Sequence, residues 1–133
     1  MATFEIEGGY RLKGDLYPQG AKNEALQVLC AVLLTPEKVT IDNVPEIRDV
    51  LHLIELLEAL GVEVKREKKG CFCFCAQNVS PDTLKTEKYR KLAASLRGSV
   101  MVLGPMLAPF GVGYIPQPGG DKIGRRRLDT HFI

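Results

Sequence analysis

The sequence predicts an α/β fold, in the broad sense that includes α+β, made of repeated units of helices and short strands. Apolar residues recur at helical spacing in segments that alternate with short runs of β-forming residues. The pattern then starts again, because Leu34 recurs as Leu107 and Pro45 as Pro118, both at an offset of 73 residues. A chain of 133 residues that is 45% hydrophobic and 26% charged has room for one modest core.

The first predicted elements lie at the N-terminus. Apolar and polar residues alternate over residues 4–16 and predict two strands, with Gly8 and Gly9 at the turn between them. A helix is predicted over residues 23–34, where the apolar positions follow helical spacing. Pro36 ends this helix because proline cannot continue the hydrogen-bond ladder.

The remaining elements of the first unit are predicted in the order strand, helix, strand, strand. They occupy residues 39–41, 48–60, 62–66 and 71–76. Gly61 is the expected C-cap of the helix, since glycine adopts the left-handed conformation without strain. A Lys-Lys-Gly turn at residues 68–70 joins the last two strands.

Four cysteines are present: Cys30, Cys71, Cys73 and Cys75. In a strand, the last three would share one face because side chains alternate. A metal site usually shows Cys-x-x-Cys spacing and a fourth ligand, which this segment lacks. The pattern therefore favours small apolar residues on a strand over a metal site.

The second copy of the unit is longer and unfinished. Its apolar run over residues 101–107 corresponds to residues 28–34. Asp49 corresponds to Asp129 at an offset of 80, so seven residues are inserted in the preceding loop of the second copy. An insertion in one loop suggests a functional role for that loop. The second helix of this copy has barely begun at Ile133, so we expect the chain to be a fragment of a longer protein.

Composition disfavours several classes of function. The formal net charge is only +2, which gives no global field for nucleic acid or an anionic membrane. The longest apolar stretch covers residues 25–34, well below the roughly 20 residues that a membrane span needs. No secretory signal precedes residue 20, so a cytoplasmic protein with reduced thiols is expected.

The inserted loop, residues 118–127, combines glycines with charged residues. Its cations are Lys122, Arg125, Arg126 and Arg127, and its carboxylate is Asp121. Glycines let backbone N–H groups approach an anion, and arginine forks bind phosphate or carboxylate. Asp129 and Thr130 follow at an expected helix start. Taken alone, the run fits an anion site and a solvated or nucleic-acid-binding surface equally well.

Two further cations lie near expected helix starts. Lys22 and Asn23 follow Gly20, and Arg97 precedes an apolar helix. Each has an ordinary explanation, an exposed lysine on a capped helix or an arginine at a helix start. The 73-residue offset places Arg97 at the position of Glu24, so both copies begin their first helix near a cation. Repeats that pack side by side would bring these cations to one anion site.

Four segments carry a family resemblance. GAKNEAL, TIDNVPEIRDV, SLRGSVMVLGPMLAPFG and PGGDKIGRRRLDTHF resemble, in order, the UDP-N-acetylglucosamine enolpyruvyl transferases of the EPSP synthase-like family. The resemblance implies an inverse α/β barrel of two domains, each built from three βαβαββ units, with the active site between them. The shikimate-pathway enolpyruvyl transferases are a more distant alternative, because they lack the RRRLDTHF segment.

The resemblance also implies a domain organisation. Residues 1–19 would supply the first strands of a second domain that is otherwise missing. Residues 20–133 would be a truncated first domain, with one repeat at about 20–77 and an incomplete repeat at about 89–133. Apolar helix faces left without their cover could make the isolated chain self-associate.

The resemblance further implies roles for individual residues. Lys22 and Asn23 would be catalytic residues that contact phosphoenolpyruvate, and Arg97 would lie at the nucleotide-sugar site. The stretch that contacts UDP-N-acetylglucosamine would comprise Arg126, which also holds the phosphate, Arg127, Leu128, Asp129 and Thr130. Asp121 would be the proton donor, at a position where most family members have cysteine.

The implied reaction moves the enolpyruvyl group of phosphoenolpyruvate to the sugar 3-hydroxyl, the first committed step of peptidoglycan synthesis. It needs neither cofactor nor metal. The four cations near Asp121 should lower its pKa, whereas a general acid must be protonated. We expect substrate phosphate and carboxylate to offset these cations in the closed cleft. A nucleic-acid-binding module and a folded remnant without function are the competing interpretations.

Overall fold

The computed structural model describes residues 3–117. The helices are α1 (Lys22–Ala31), α2 (Arg48–Leu60), α3 (Glu87–Ser95) and α4 (Leu103–Phe110); the strands are β1 (Lys38–Ile41), β2 (Glu63–Lys68) and β3 (Cys71–Cys75). Short 3₁₀ helices cover Val32–Leu34, Pro81–Lys85 and Arg97–Val102. This mixture of helices with one small open sheet agrees with the predicted α/β class.

The three strands form an antiparallel sheet in the order β1-β3-β2. The central strand turns Phe72 and Phe74 toward the helices, where both rings are buried. Cys73 and Cys75 are half-buried on the opposite face and pair with the exposed residues Thr40 and Lys38 of β1. The expected alternation of burial holds over residues 72–75, where the phenylalanines fill the core. Cys71 departs from it, because it is buried beside Phe72 where the pairing of β2 with β3 shifts register.

The core lies between this sheet and the helices, with α2 at its centre. Six residues of α2 are buried, namely Val50, Leu53, Ile54, Leu56, Leu57 and Leu60. The helix ends as predicted at Gly61, whose φ of 102° is left-handed and whose N–H bonds the carbonyl of Glu58. Burial of this apolar face, rather than helix propensity, supplies most of the stability of such a helix.

The N-terminal prediction is wrong in its secondary structure. Residues 3–19 carry no strand, and Phe4, Ile6 and Leu12 expose 88–93% of their surface. A strand exists only through hydrogen bonds to a neighbour, and the described sheet ends at β1 and β2. The alternation gives this segment one apolar face, and no described element packs against that face.

The second copy of the unit departs from a simple repetition of the first. The apolar run over residues 101–107 is split between the 3₁₀ helix Arg97–Val102 and α4, instead of forming one α-helix. Residues 112–117, which correspond to the region of β1, carry no strand. The helix α3 was not predicted; its start is capped by the Thr86 hydroxyl, which accepts a hydrogen bond from the Tyr89 N–H.

Within residues 3–117, no single helix is long and apolar enough to cross a bilayer; only the pair Glu87–Ser95 and Arg97–Phe110, bent by 118°, reaches that length and composition when taken together.

Candidate active site

An open cleft lies where the first turns of α1 and α2 meet the segment between α3 and α4. Its volume is about 410 Å³. The lining residues are Lys22, Asn23, Leu26, Gln27, Asp49, Ser95, Leu96, Arg97, Gly98, Val100 and Met101. The cleft therefore brings together Lys22, Asn23 and Arg97, the predicted site residues that fall within the described part of the chain.

Lys22 and Asp49 form an ion pair at the edge of this cleft. The distance from Lys22 Nζ to Asp49 Oδ2 is 2.8 Å, and each side chain keeps 46% of its surface exposed. Such an exposed pair is worth at most about 1 kcal/mol. Replacing this one contact by a contact with phosphate or carboxylate therefore costs Lys22 little.

A buried serine fixes the backbone around Arg97. Ser99 is fully buried, and its hydroxyl lies 2.8 Å from the carbonyl oxygen of Ala93 and 2.7 Å from that of Leu96. These contacts tie the end of α3 to the turn that carries Arg97. A Cβ atom at Gly98 would lie 3.2 Å from Leu26, so a small residue lets this turn pack against α1. Half-buried Arg97 is thereby held beside the start of α1.

The loop before α2 is anchored to the turn between β2 and β3. The Val44 N–H donates to the Gly70 carbonyl at 2.8 Å. The Glu46 carboxylate accepts a hydrogen bond from the Gly70 N–H at 2.7 Å. Both of its oxygens also accept hydrogen bonds from the Arg66 guanidinium. The Gly70 hydrogen bond, and then Arg66, hold the pKa of Glu46 below its usual range. Because α2 starts directly after this loop, these hydrogen bonds also hold Asp49, in the first turn of α2, at the cleft.

The charge of the described cleft suits an anion. Its lining carries two cations, Lys22 and Arg97, against the single carboxylate of Asp49. The start of α1 adds its positive dipole end, and its N-cap residue Ala21 makes no side-chain hydrogen bond to the helix. Two cations near a helix start can hold a phosphate or carboxylate group.

The residue before α1 packs closely against the loop before α2, and a substitution at Gly20 tests this contact. A Cβ atom there would collide with the carbonyl oxygen of Asn43 and approach Pro45. We expect Gly20→Ala to lower the free energy of unfolding by about 1–3 kcal/mol, the usual cost of overpacking. Urea unfolding measures the change.

Gly104→Ala is the matched control for Gly20→Ala. It lies in α4 with open space around its Cα, so alanine there should stabilise the helix by up to about 1 kcal/mol. A Gly20→Ala chain as stable as the wild type would contradict the observed approach of the two loops.

Six predicted site residues lie outside the described residues: Asp121, Arg126, Arg127, Leu128, Asp129 and Thr130. Asp49, in contrast, lines the cleft but was not among the predicted site residues. The repeat contained a signal for it, because Asp49 corresponds to Asp129, which the resemblance placed in the substrate-contacting stretch.

The described thiols lie away from the cleft. Cys30 is buried, and burial raises the pKa of its thiol to about 12, so it stays protonated and unreactive. The other three belong to β3, on the sheet. Residues 3–117 contain no group of three or more His, Cys, Asp or Glu residues that could hold a metal ion.

Comparison with known proteins defines the class to which this fold and cleft belong. The family described as EPSP synthase (3-phosphoshikimate 1-carboxyvinyltransferase) matches residues 6–132. The match covers almost the whole chain, and the chain belongs to this family.

Within the family, the similar proteins share one name. The chain is 56% identical over 133 residues to the UDP-N-acetylglucosamine 1-carboxyvinyltransferase of Bacteroides thetaiotaomicron. It is 51% identical over 133 residues to that of Porphyromonas gingivalis and 41% identical over 128 residues to that of Bradyrhizobium diazoefficiens. These matches cover 100%, 100% and 96% of this chain but only 31%, 31% and 29% of the relatives. The chain therefore spans about a third of the length of the curated relatives it matches.

Proposed function

We propose that the full-length protein containing this chain transfers the enolpyruvyl group of phosphoenolpyruvate to the 3-hydroxyl of UDP-N-acetylglucosamine and releases phosphate. The observation that carries the proposal is the convergence of Lys22, Asn23 and Arg97 on one cleft. The chain shares 56% identity with an enzyme whose name states this reaction type and this acceptor. The proposal extends to a role in the first committed step of peptidoglycan synthesis, hence in cell-wall formation and division, in the cytoplasm.

The described residues support the binding part of this reaction. Phosphoenolpyruvate carries a phosphate and a carboxylate, and UDP-N-acetylglucosamine carries a diphosphate, so the site must hold several negative charges. In the proposal, Lys22 leaves Asp49 for phosphoenolpyruvate, Asn23 contacts the same substrate, and Arg97 faces the nucleotide sugar. Asp49, 2.8 Å from Lys22, remains near enough to accept the ammonium group again when product leaves.

The proposed chemistry is an addition followed by an elimination. The 3-hydroxyl oxygen forms a bond to C2 of phosphoenolpyruvate and loses its proton, while C3 gains a proton. The bond from C2 to the phosphate oxygen then breaks, C3 loses a proton, and the double bond forms again. Once the cleft has closed and excluded water, positioned cations stabilise the charge that develops on phosphate and carboxylate.

We assign the proton donor for C3 to Asp121, and the remaining substrate contacts to Arg126, Arg127, Leu128, Asp129 and Thr130. The assignment rests on the family resemblance of the PGGDKIGRRRLDTHF segment. A carboxylic acid can protonate carbon if its pKa is raised toward the working pH. The substrate's own negative charges would raise the pKa of Asp121 in the closed complex.

The direct test is phosphate release by the full-length protein. With phosphoenolpyruvate and UDP-N-acetylglucosamine together, we expect turnover on the order of 1 per second or faster. Neither substrate alone should release phosphate.

Shikimate 3-phosphate in place of the nucleotide sugar distinguishes the two branches of the family. It should give no turnover, and efficient use of it would overturn the proposed acceptor.

The isolated 133-residue chain should release no phosphate and should bind UDP-N-acetylglucosamine weakly at best. A cleft enzyme needs both walls to exclude water and to complete its set of cations. Exposed apolar residues such as Phe4, Leu12 and Leu16, at 90–93% exposure, should promote self-association, which sedimentation measures. A monomer with turnover equal to the full-length protein would contradict the need for the rest of that protein.

A further inference from the structure

Asn43 has an unusual backbone conformation for its residue type. Its φ is 56°, and among the described residues it alone combines a side chain with a positive φ. Asparagine tolerates this left-handed region better than most residues, because its short amide can hydrogen-bond locally. Such positions persist where the surrounding structure determines them, and they often occur near functional sites.

Asn43 contacts Gly20 with both its side chain and its backbone. Its side-chain oxygen Oδ1 accepts a hydrogen bond from the Gly20 N–H at 3.2 Å. Its carbonyl oxygen lies so close to Gly20 that any Cβ there would collide with it. Gly20 is two residues before Lys22, so this contact fixes the backbone immediately before α1.

Hydrogen bonds hold the backbone of Asn43 and of the residue after it. Its own N–H donates to the Asp42 carboxylate at 2.8 Å, and Asp42 is paired with Lys68 of β2 at 3.2 Å. The next residue, Val44, is buried and bonded to Gly70. The loop that carries Asn43 is therefore anchored to the hairpin of β2 and β3.

The loop that carries Asn43 continues into α2, where Asp49 binds Lys22 at 2.8 Å. One short segment thus holds the cleft lysine at two places, the backbone before it and the charged end of its side chain. When an anion replaces Asp49 at Lys22, the contact between Lys22 and Asp49 is lost but the backbone contact at Gly20 persists.

We propose that Asn43 is a positioning residue that keeps Lys22 and Asn23 at the edge of the cleft while Lys22 exchanges Asp49 for the substrate anion. The inference rests on the proposed function and adds to it a residue outside the cleft lining. Its effect is indirect, because Asn43 acts through the Gly20 backbone. Its loss should weaken the contact of Lys22 with the bound anion and its contact with the charge that develops during the reaction.

The test compares Asn43→Gly with Asn43→Asp in the full-length protein. Glycine accepts the positive φ but removes the side-chain acceptor, whereas aspartate keeps an oxygen at the same place. We expect Asn43→Gly to raise KM for phosphoenolpyruvate about five- to tenfold and to lower kcat by a similar factor, because a displaced Lys22 holds both the bound anion and the developing charge less well. Asn43→Asp should bring KM back to within about threefold of the wild type.

Asn78→Gly is the matched control. It removes another exposed asparagine side chain, whose amide donates to Glu63 at 2.8 Å outside the cleft lining, and KM should not change. A lowered Tm with an unchanged KM in Asn43→Gly would show a purely structural contact and overturn the inference, as would failure of Asn43→Asp to restore KM. A wild-type protein without phosphate release would instead refute the proposed function, and this inference with it.

Discussion

Replacing Lys22 with alanine should reduce turnover of the full-length protein by about two to three orders of magnitude, the usual cost of losing one charged group that stabilises developing negative charge. Lys22 is half-exposed at the cleft and its ion pair with Asp49 is an exposed one, so its removal opens no cavity in the core. Tm should therefore stay within a few degrees of the wild type. Phosphate release and thermal unfolding, measured on the same preparation, give the two values. Arg126→Ala should behave in the same way.

Lys85→Ala is the matched control for the lysine variant. Lys85 forms an exposed ion pair with Asp82 at 3.0 Å, as Lys22 does with Asp49, but it lies outside the cleft lining. Its removal should leave turnover unchanged. A Lys22→Ala protein that keeps most of its activity but loses much of its thermal stability would show that Lys22 serves the fold instead.

Fosfomycin should not inactivate the full-length protein over time, although it should inactivate an Asp121→Cys variant. Fosfomycin is an epoxide that alkylates a nucleophilic thiolate, and the carboxylate of residue 121 is a far poorer nucleophile. We expect the inactivation rate to rise at least about 100-fold on introducing cysteine. Residual activity after timed incubation, with and without UDP-N-acetylglucosamine, measures these rates.

The thiols of this chain support the expected resistance. Cys30 is buried with a pKa of about 12, and Cys71, Cys73 and Cys75 lie on β3 outside the cleft lining. Alkylation at any of them should leave the cleft accessible to substrate. Rapid inactivation of the unmodified protein would contradict the expected resistance.

The sequence predicted well those elements in which the spacing of apolar residues by itself shows which face is buried. The apolar face of α2 and its end at Gly61 are local patterns that the structure confirms. The alternation along β3 is another, and it holds over residues 72–75. It predicted less well the elements that depend on a partner. Residues 4–16 show a strand pattern, but no described strand pairs with them.

The candidate site divides in the same way. The sequence shows that Lys22 and Arg97 are cations near helix starts, where free backbone N–H groups favour anions. The family resemblance, rather than this pattern, selected them and Asn23 as site residues. The pairing of Lys22 with Asp49, 27 residues away along the chain, could not be predicted from the sequence. Nor could the contact of Asn43 with Gly20, 23 residues away.

By itself, the sequence determined the class of fold, the family and the residue types available for binding an anion. Only the tertiary structure decided which of these residues meet. The anchoring of the Asn43 loop on the β2–β3 turn and the Ser99 contacts behind Arg97 bring three chain segments to one cleft. Hydrophobic burial is non-directional and can be read from periodicity, whereas hydrogen bonds and ion pairs between distant residues require the coordinates of both partners.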